Sequence, residues 1–285
     1  MLLRALIRRE WLEHRFAFQW APLIVAAVLV GLALLATSLD LGRIAAEASE
    51  ATQSQERLHL PSALAFAALP FVFLYLASAA SVLVSALYTE RQDRSISFFK
   101  SLPVSDSQTV LAKLVTALLL APLMSIAALT ITQLLLVALL VVNCDCGSGL
   151  PATLAEAELL SGLPLQLFGF LTQATWSLPI WSWLLLVSAI APRQPMLFAF
   201  AGPALLACAE WLVFGSARLT GALGAYLEPV GLVAYLQLAV VGANDTVSWQ
   251  LAAAPWLRHE LWLGLLLSAA LLTATVFARR RNGEL

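Results

Sequence analysis

Long apolar stretches alternate with short polar segments along this chain, and their lengths indicate the fold class. A helix needs about 20 apolar residues to cross the roughly 30 Å hydrocarbon core of a bilayer. Glycine or proline lies at most of the stretch ends, where a helix is expected to stop. Six stretches reach the required length: 21–39, 63–88, 114–142, 164–190, 196–214 and 261–278. The pattern predicts an all-α integral membrane protein with six transmembrane helices.

A seventh apolar stretch, 229–243, is too short to cross a bilayer and contains Gly231 and Gly242. A stretch of this length suits a re-entrant segment better than a span. We therefore predict an outer loop at 215–260 that carries a re-entrant segment before the last span.

The distribution of basic residues gives the expected orientation. With six spans, 12 of the 16 lysines and arginines fall on the side of the two termini. Cytoplasmic loops of membrane proteins carry such an excess of Lys and Arg. We therefore expect both termini in the cytoplasm and one transmembrane domain over 1–285. A seventh span would move Arg279, Arg280 and Arg281 to the outside.

Composition agrees with this class. Hydrophobic residues make up 61% of the chain and charged residues 12%. Soluble domains contain about 45–50% apolar and about 25% charged residues. The formal net charge of −1 gives no strong field for binding nucleic acid. Membrane lipids are the expected surroundings, and nucleic acid is not an expected partner.

The N-terminal residues 1–17 have apolar side chains at helical spacing, with arginines largely elsewhere around the helix. This pattern predicts an amphipathic interfacial helix in the inner headgroup layer. The alternative is that these arginines serve only as a topology signal.

The segment 89–113 is the most specific part of the chain. It mixes both charge signs and exposes the aromatic pair Phe98 and Phe99 on the side of the termini. Pro103 ends any helix there, and the Ser105 hydroxyl is placed to cap the next one. An aromatic pair on a charged loop has no use in lipid, but it suits docking into a groove of a partner protein.

The run from Asp93-Arg94-Ser95 to Phe99-Lys100-Ser101-Leu102-Pro103-Val104-Ser105, followed by Lys113, resembles the cytoplasmic loop of ABC-2 type permeases. The resemblance implies the permease subunit of a bacterial ABC exporter in the inner (plasma) membrane. It also implies two ATPase subunits and a second permease chain, as a homodimer. The residues that would couple to the ATPase by this resemblance are Arg91, Asp93, Arg94, Phe98, Phe99, Leu102 and Pro103.

The sequence contains no Gly-x-x-x-x-Gly-Lys-Ser/Thr phosphate loop. By the resemblance, ATP and Mg²⁺ bind to the partner ATPase, and this chain binds no cofactor. We expect a transmembrane permease subunit rather than an enzyme. Cys144 and Cys146 are too close together for an ordinary zinc site, so no metal site is predicted.

Glu210 is the one acidic residue inside a predicted span, about one turn from its outer end. An intramembrane carboxylate suggests a functional site, and the alternative is a structural hydrogen bond to a neighbouring helix. Gln166, Gln173 and Ser177 share one face of the fourth predicted span. These residues either line a translocation path with Glu210 or bind neighbouring helices together.

Two other classes compete with the exporter. An ion-coupled secondary transporter needs ionisable groups near the membrane midplane and often shows internal repeats, and neither is evident here. An intramembrane enzyme needs a nucleophile with its base or a metal, and the sequence shows no such motif.

Overall fold

The computed structural model describes residues 2–39, 64, 66–93, 105–143, 159–227, 250 and 253–282. These residues are 92% helical and contain no strand, which confirms the all-α class. The helices are α1 (Leu2–Glu13), α2 (Ala21–Ser38), α3 (Leu69–Gln92), α4 (Asp106–Val115), α5 (Ala121–Asn143), α6 (Leu159–Trp176), α7 (Leu178–Ile190), α8 (Pro195–Phe214), α9 (Arg218–Leu227) and α10 (His259–Asn282).

Five helical segments in the described part of the chain are long and apolar enough to cross a membrane. They are Phe16–Ser38, Leu69–Gln92, Asp106–Asn143, Pro195–Phe214 and His259–Arg281. The chain therefore has the architecture of a multi-pass membrane protein. Each of these segments corresponds to one of the six predicted spans.

The remaining predicted span, 164–190, is divided into two helices. Helix α6 ends at Trp176, and α7 begins at Leu178, with Pro179 in its first turn. Proline has no backbone N–H and its ring crowds the preceding turn, so Pro179 accounts for the break at Ser177. Neither helix is counted among the five long apolar segments. The predicted re-entrant segment at 229–243 lies outside the described residues.

Two π-helical turns lie where the first and third spans begin. They comprise Phe16–Trp20 and Thr116–Leu120, and each is followed by Ala-Pro-Leu, at Pro22 and Pro122. A proline removes one helical hydrogen bond and displaces the carbonyl four residues before it. One wider turn accommodates that displacement, and π-bulges of this kind are a known cause of helix bending.

Helices α4 and α5 and the π turn between them form one segment of 38 residues. At 1.5 Å per residue this segment is about 57 Å long, which is nearly twice the hydrocarbon thickness. Helix α4 therefore extends beyond the apolar part of the bundle. It lies there beside α1 and the C-terminal end of α10.

Helix α7 is the centre of the bundle and packs mainly against α10 and α3. Its Leu185 and Val187 are buried, and Trp181 packs near Tyr75 of α3 in the main core. Helices α2 and α8 have few buried residues and expose large apolar side chains along their length. Lipid tails solvate apolar side chains on such faces, as expected for the periphery of a membrane bundle.

Candidate functional site

Two of the predicted coupling residues, Arg91 and Asp93, lie in the described part of the chain. Arg94, Phe98, Phe99, Leu102 and Pro103 lie outside the described residues. The helices on either side extend into the predicted loop 89–113, since α3 continues to Gln92 and α4 begins at Asp106. The segment between these helices is therefore shorter than the sequence analysis expected.

Arg91 holds the end of α7. Its Nη2 atom donates to the carbonyl oxygen of Ser188 at 2.9 Å and to that of Ala191 at 2.6 Å. The last carbonyls of a helix have no partner within the helix, and a basic side chain can satisfy them. Asp93 is exposed, and its backbone N–H closes the last turn of α3 on Thr89.

Ser188 strengthens the same junction between α3 and α7. Its buried hydroxyl oxygen accepts from the backbone N–H of Leu87 at 2.9 Å and from that of Tyr88 at 3.0 Å. With the contacts of Arg91, this fixes the last two turns of α3 against the C-terminal turn of α7.

The start of α4 is fixed by a capping box. The Ser105 hydroxyl accepts from the backbone N–H of Gln108, and the Gln108 side chain accepts from the backbone N–H of Ser105. This confirms the prediction that Ser105 caps the helix after Pro103. A capping box satisfies two free amides and fixes the direction in which the chain enters the helix.

Five charged side chains then meet between α1, α3, α4 and α10, and we call them the charged cluster. Lys113 Nζ lies 2.9 Å from Glu10 Oε1 and 3.0 Å from Glu90 Oε1. Arg279 Nη1 lies 2.7 Å from Glu90 Oε2, and Arg279 Nε lies 2.9 Å from Asp106 Oδ1. The charged cluster therefore joins the two helices next to the predicted coupling segment to both terminal helices.

Most side chains of the charged cluster are buried, so the pairing of their charges matters for the stability of the fold. The side chains of Glu10, Glu90, Lys113 and Arg279 are at most 7% exposed, whereas Asp106 is 21% exposed. Buried charges are tolerated only when they are paired with good geometry, because desolvation costs several kcal/mol per ion. Each of the four has an opposite charge within 3.0 Å.

By formal charge the charged cluster contains three acidic and two basic side chains, which leaves one acidic side chain in excess. His14 lies at its edge, with Nε2 3.9 Å from Glu10 Oε2. Burial lowers the pKa of His14, and Glu10 and Glu13 raise it by less, while Lys113 lowers it further. His14 is therefore mainly neutral at pH 7 and does not cancel the excess charge.

The sequence pattern alone does not predict the charged cluster, because its residues lie in the predicted loops and among the basic residues that set the topology. A helical signal was nevertheless present. Ala79, Leu83, Leu87 and Glu90 follow one another at helical spacing, and all four are buried in α3. The predicted end of this span at residue 88 separated Glu90 from that stripe.

Gln166 contacts a neighbouring helix, whereas Gln173 and Ser177 contact each other. Gln166 Nε2 donates to Gln133 Oε1 of α5 at 3.4 Å, and the buried Gln133 donates in turn to the carbonyl of Leu64. Gln173 Nε2 donates to Ser177 Oγ at 3.1 Å, across the break between α6 and α7. Gln166 therefore links α6 to α5, and Gln173 links the last turn of α6 to the residue before α7.

Glu210 lies one turn before the end of α8. Its Oε1 atom accepts from the Ser216 hydroxyl at 3.0 Å and from the backbone N–H of Arg218 at 2.7 Å. A carboxylate is favourable at a helix N-terminus, and Arg218 is the first residue of α9. Glu210 therefore links the last turn of α8 to the start of α9.

The fold and this site define a class of protein: a helical, multi-pass membrane protein whose terminal helices and mid-chain helices meet in a buried charged cluster. Comparison of the chain with protein families, with curated proteins and with solved structures gives no match.

Proposed function

We propose that this chain is the permease subunit of an ATP-driven exporter of the ABC-2 type. The observation that supports this proposal best is that the ends of both helices next to the segment 94–104 are held by side-chain contacts to other helices or by a cap. On one side, Glu90 belongs to the charged cluster and Arg91 holds α7. On the other side, Ser105 caps α4, and Asp106 and Lys113 belong to the same cluster.

Such anchoring is what a mechanical coupling element requires. If an ATPase subunit displaces the segment 94–104, the ends of α3 and α4 must move with it. Through the charged cluster this movement reaches α1 and α10, and through Arg91 and Ser188 it reaches α7. ATP binding then favours one arrangement of the helices by contacts made only in that arrangement.

The proposal includes a sixth crossing, made by α6 and α7 together. Gln166 of α6 contacts Gln133, which is 20 residues beyond Lys113 along the continuous α4–α5 segment, whereas Ser188 of α7 contacts α3 close to the charged cluster. The pair therefore runs along the length of the bundle. The chain is proposed to lie in the inner membrane of a bacterial cell. With six crossings, both termini and the segment 94–104 would face the cytoplasm.

Two ATPase subunits and a second copy of this chain are the proposed partners, with ATP and Mg²⁺ on the ATPases. The predicted aromatic pair is the proposed contact with the ATPase. Buried aromatic anchors at interfaces typically cost about 2 kcal/mol or more when truncated, which is about a 30-fold loss of affinity.

The experiment is to coexpress the chain with a P-loop ATPase encoded next to it and to reconstitute both in liposomes. Changing Phe98 and Phe99 together to Ala should leave membrane insertion intact but abolish permease-dependent ATP hydrolysis and transport. The control changes Phe66 and Phe73, two exposed aromatic residues in and just before α3, to Ala. If the first variant copurifies and hydrolyses ATP like the wild type, the coupling assignment is wrong.

An ion-coupled secondary transporter is the second candidate, and one observation favours it. Buried ionisable side chains in a membrane protein often mark ion pathways, and the charged cluster contains four of them, at the end of the bundle where α4 extends beyond the apolar part. Transport in liposomes driven by a pH or sodium gradient, without ATP or an ATPase, would support this candidate against the exporter.

A further inference from the structure

A groove lies along α1 on the side that faces away from the charged cluster, and no residue of the cluster lines it. It has a volume of about 1180 Å³ and is open to the surroundings. Its lining includes Arg4, Arg8, Trp11 and Leu12 from α1, and Leu120 from the π turn before α5. The groove thus combines basic and apolar side chains in one place.

The basic part consists of Arg4 and Arg8. They are four residues apart on α1, so their side chains project from the same face of the helix. Both are exposed, and among the described residues neither lies within 4.0 Å of a carboxylate. By contrast, Arg9 lies 3.5 Å from Glu13 at the rim of the groove. Two exposed guanidinium groups on one face suit a phosphate, which each can bind through a pair of N–H groups.

The apolar part continues toward the membrane. Leu12 is 57% exposed beside the groove, and Leu120 lies at its wall. The first span begins at Phe16, only three residues after α1 ends, and Phe16 itself is 68% exposed. Large apolar side chains that remain exposed at this level are expected to contact lipid. The groove therefore opens at the membrane surface and leads from two arginines to apolar side chains.

We propose that this groove binds one anionic phospholipid, with its phosphate between Arg4 and Arg8 and an acyl chain along Leu12 and Leu120. A zwitterionic phospholipid has the phosphate but also a cationic group, which the two arginines repel. A soluble phosphate compound has the charge but gains nothing from the apolar wall. The proposal does not depend on the exporter assignment, because it requires only that the chain lies in a membrane.

The test uses the purified full chain in detergent, with dioleoylphosphatidylglycerol, dioleoylphosphatidylcholine or glycerol 3-phosphate as the probe. Bound lipid is counted by native mass spectrometry during titration, and the apparent melting temperature is followed in parallel. We expect at least a tenfold preference for phosphatidylglycerol over phosphatidylcholine, and no binding of glycerol 3-phosphate in the same concentration range. Equal binding of the two lipids would overturn the proposal.

The variant Arg4→Gln with Arg8→Gln should lower the affinity for phosphatidylglycerol at least tenfold. The matched control is Arg280→Gln with Arg281→Gln, which removes the same charge from two exposed positions at the end of α10. The control should bind phosphatidylglycerol like the wild type. If the control loses as much affinity as the groove variant, the attraction is one of overall charge, and the site is not in the groove.

The variant Leu12→Ser tests the apolar part separately. It should weaken binding of phosphatidylglycerol while leaving both arginines in place. If it binds the lipid as tightly as the wild type, or if glycerol 3-phosphate competes as well as the lipid does, the groove is a phosphate site without a lipid component. Should the Gln variant not fold, Arg4→Lys with Arg8→Lys keeps the charge but removes the paired N–H geometry, and unchanged affinity would then contradict the proposed contact.

Discussion

Replacing Lys113 by Met tests the charged cluster most directly. The Lys113 side chain is 3% exposed, and its Nζ atom lies 2.9 Å from Glu10 Oε1 and 3.0 Å from Glu90 Oε1. Methionine has nearly the same shape as the lysine stem, so the change removes the charge and leaves the packing nearly intact. Glu90 keeps Arg279 as a partner, whereas the partner that remains for Glu10 among the described residues is His14, at 3.9 Å.

The expected loss of stability follows from these distances. At an effective dielectric constant of about 20, each of the two contacts is worth about 6 kcal/mol before desolvation. Desolvation of the lysine offsets most of this attraction in the wild type. Removing one partner of a buried ion pair leaves the other charge desolvated, which typically costs about 3–5 kcal/mol. We expect a loss of this size for Lys113→Met.

The assay is unfolding by sodium dodecyl sulfate in mixed micelles, followed by the fluorescence of the nine tryptophans. A double-mutant cycle with Glu10→Gln isolates the contact between the two side chains. The double variant should lose less stability than the sum of the two single variants, by about 1 kcal/mol or more. Strict additivity would refute the direct ion pair.

A control for nonspecific charge effects is available in adjacent residues. Arg279 is buried in the charged cluster, whereas its neighbour Arg280 is exposed. Arg279→Met should therefore be destabilising to a similar extent as Lys113→Met, and Arg280→Met should change stability by less than about 0.5 kcal/mol. If both arginine variants behave alike, the charged cluster does not form as described.

Two further predictions concern pH and packing. Because burial lowers the pKa of His14 below 6.5, this residue binds more protons in the unfolded chain than in the folded one, and the free energy of unfolding should fall as the pH drops through about 6.5. The variant His14→Gln should reduce this fall between pH 7.5 and 5.5. An unchanged pH dependence of the melting temperature in this variant would contradict the prediction. In Gly264→Ala the new methyl group would meet the Tyr226 ring, with Cζ at 2.8 Å, and disturb its hydrogen bond to the Trp176 carbonyl, so a loss of about 1–3 kcal/mol is expected in the same unfolding assay. Gly31→Ala, where nothing lies within 4 Å, is the control and should be neutral or slightly stabilising.

The helical class and five of the spans could be predicted from the lengths of the apolar stretches alone, because a helix must be long enough to cross the hydrocarbon core of the bilayer. The cap at Ser105 was equally predictable, since it depends on residues three positions apart. The break at Ser177 was harder to foresee. Counting apolar residues predicts one continuous helix over 164–190, whereas Pro179 removes one backbone hydrogen bond inside this range.

The charged cluster could not be predicted in the same way. Glu10 and Lys113 are 103 residues apart in sequence, and Glu90 and Arg279 are 189 apart. Single-sequence patterns identify which residues share a helix face, but not which helices meet. The pattern therefore gives the three arginines after the last span the same role as topology charges, although Arg279 is buried and the other two are exposed.

Stability alone does not account for the charged cluster. A buried ion pair can often be replaced by apolar residues of similar volume at no cost to stability, so such pairs are better understood as fixing one arrangement among several. Lys113 and Arg279 contact carboxylates on α1, α3 and α4 at 2.7–3.0 Å, and contacts this short restrict the register of α1, α3, α4 and α10. The residues on both sides of the segment 94–104 contribute to this register. In the proposed mechanism, a displacement of α3 and α4 next to this segment would reach both terminal helices through these contacts.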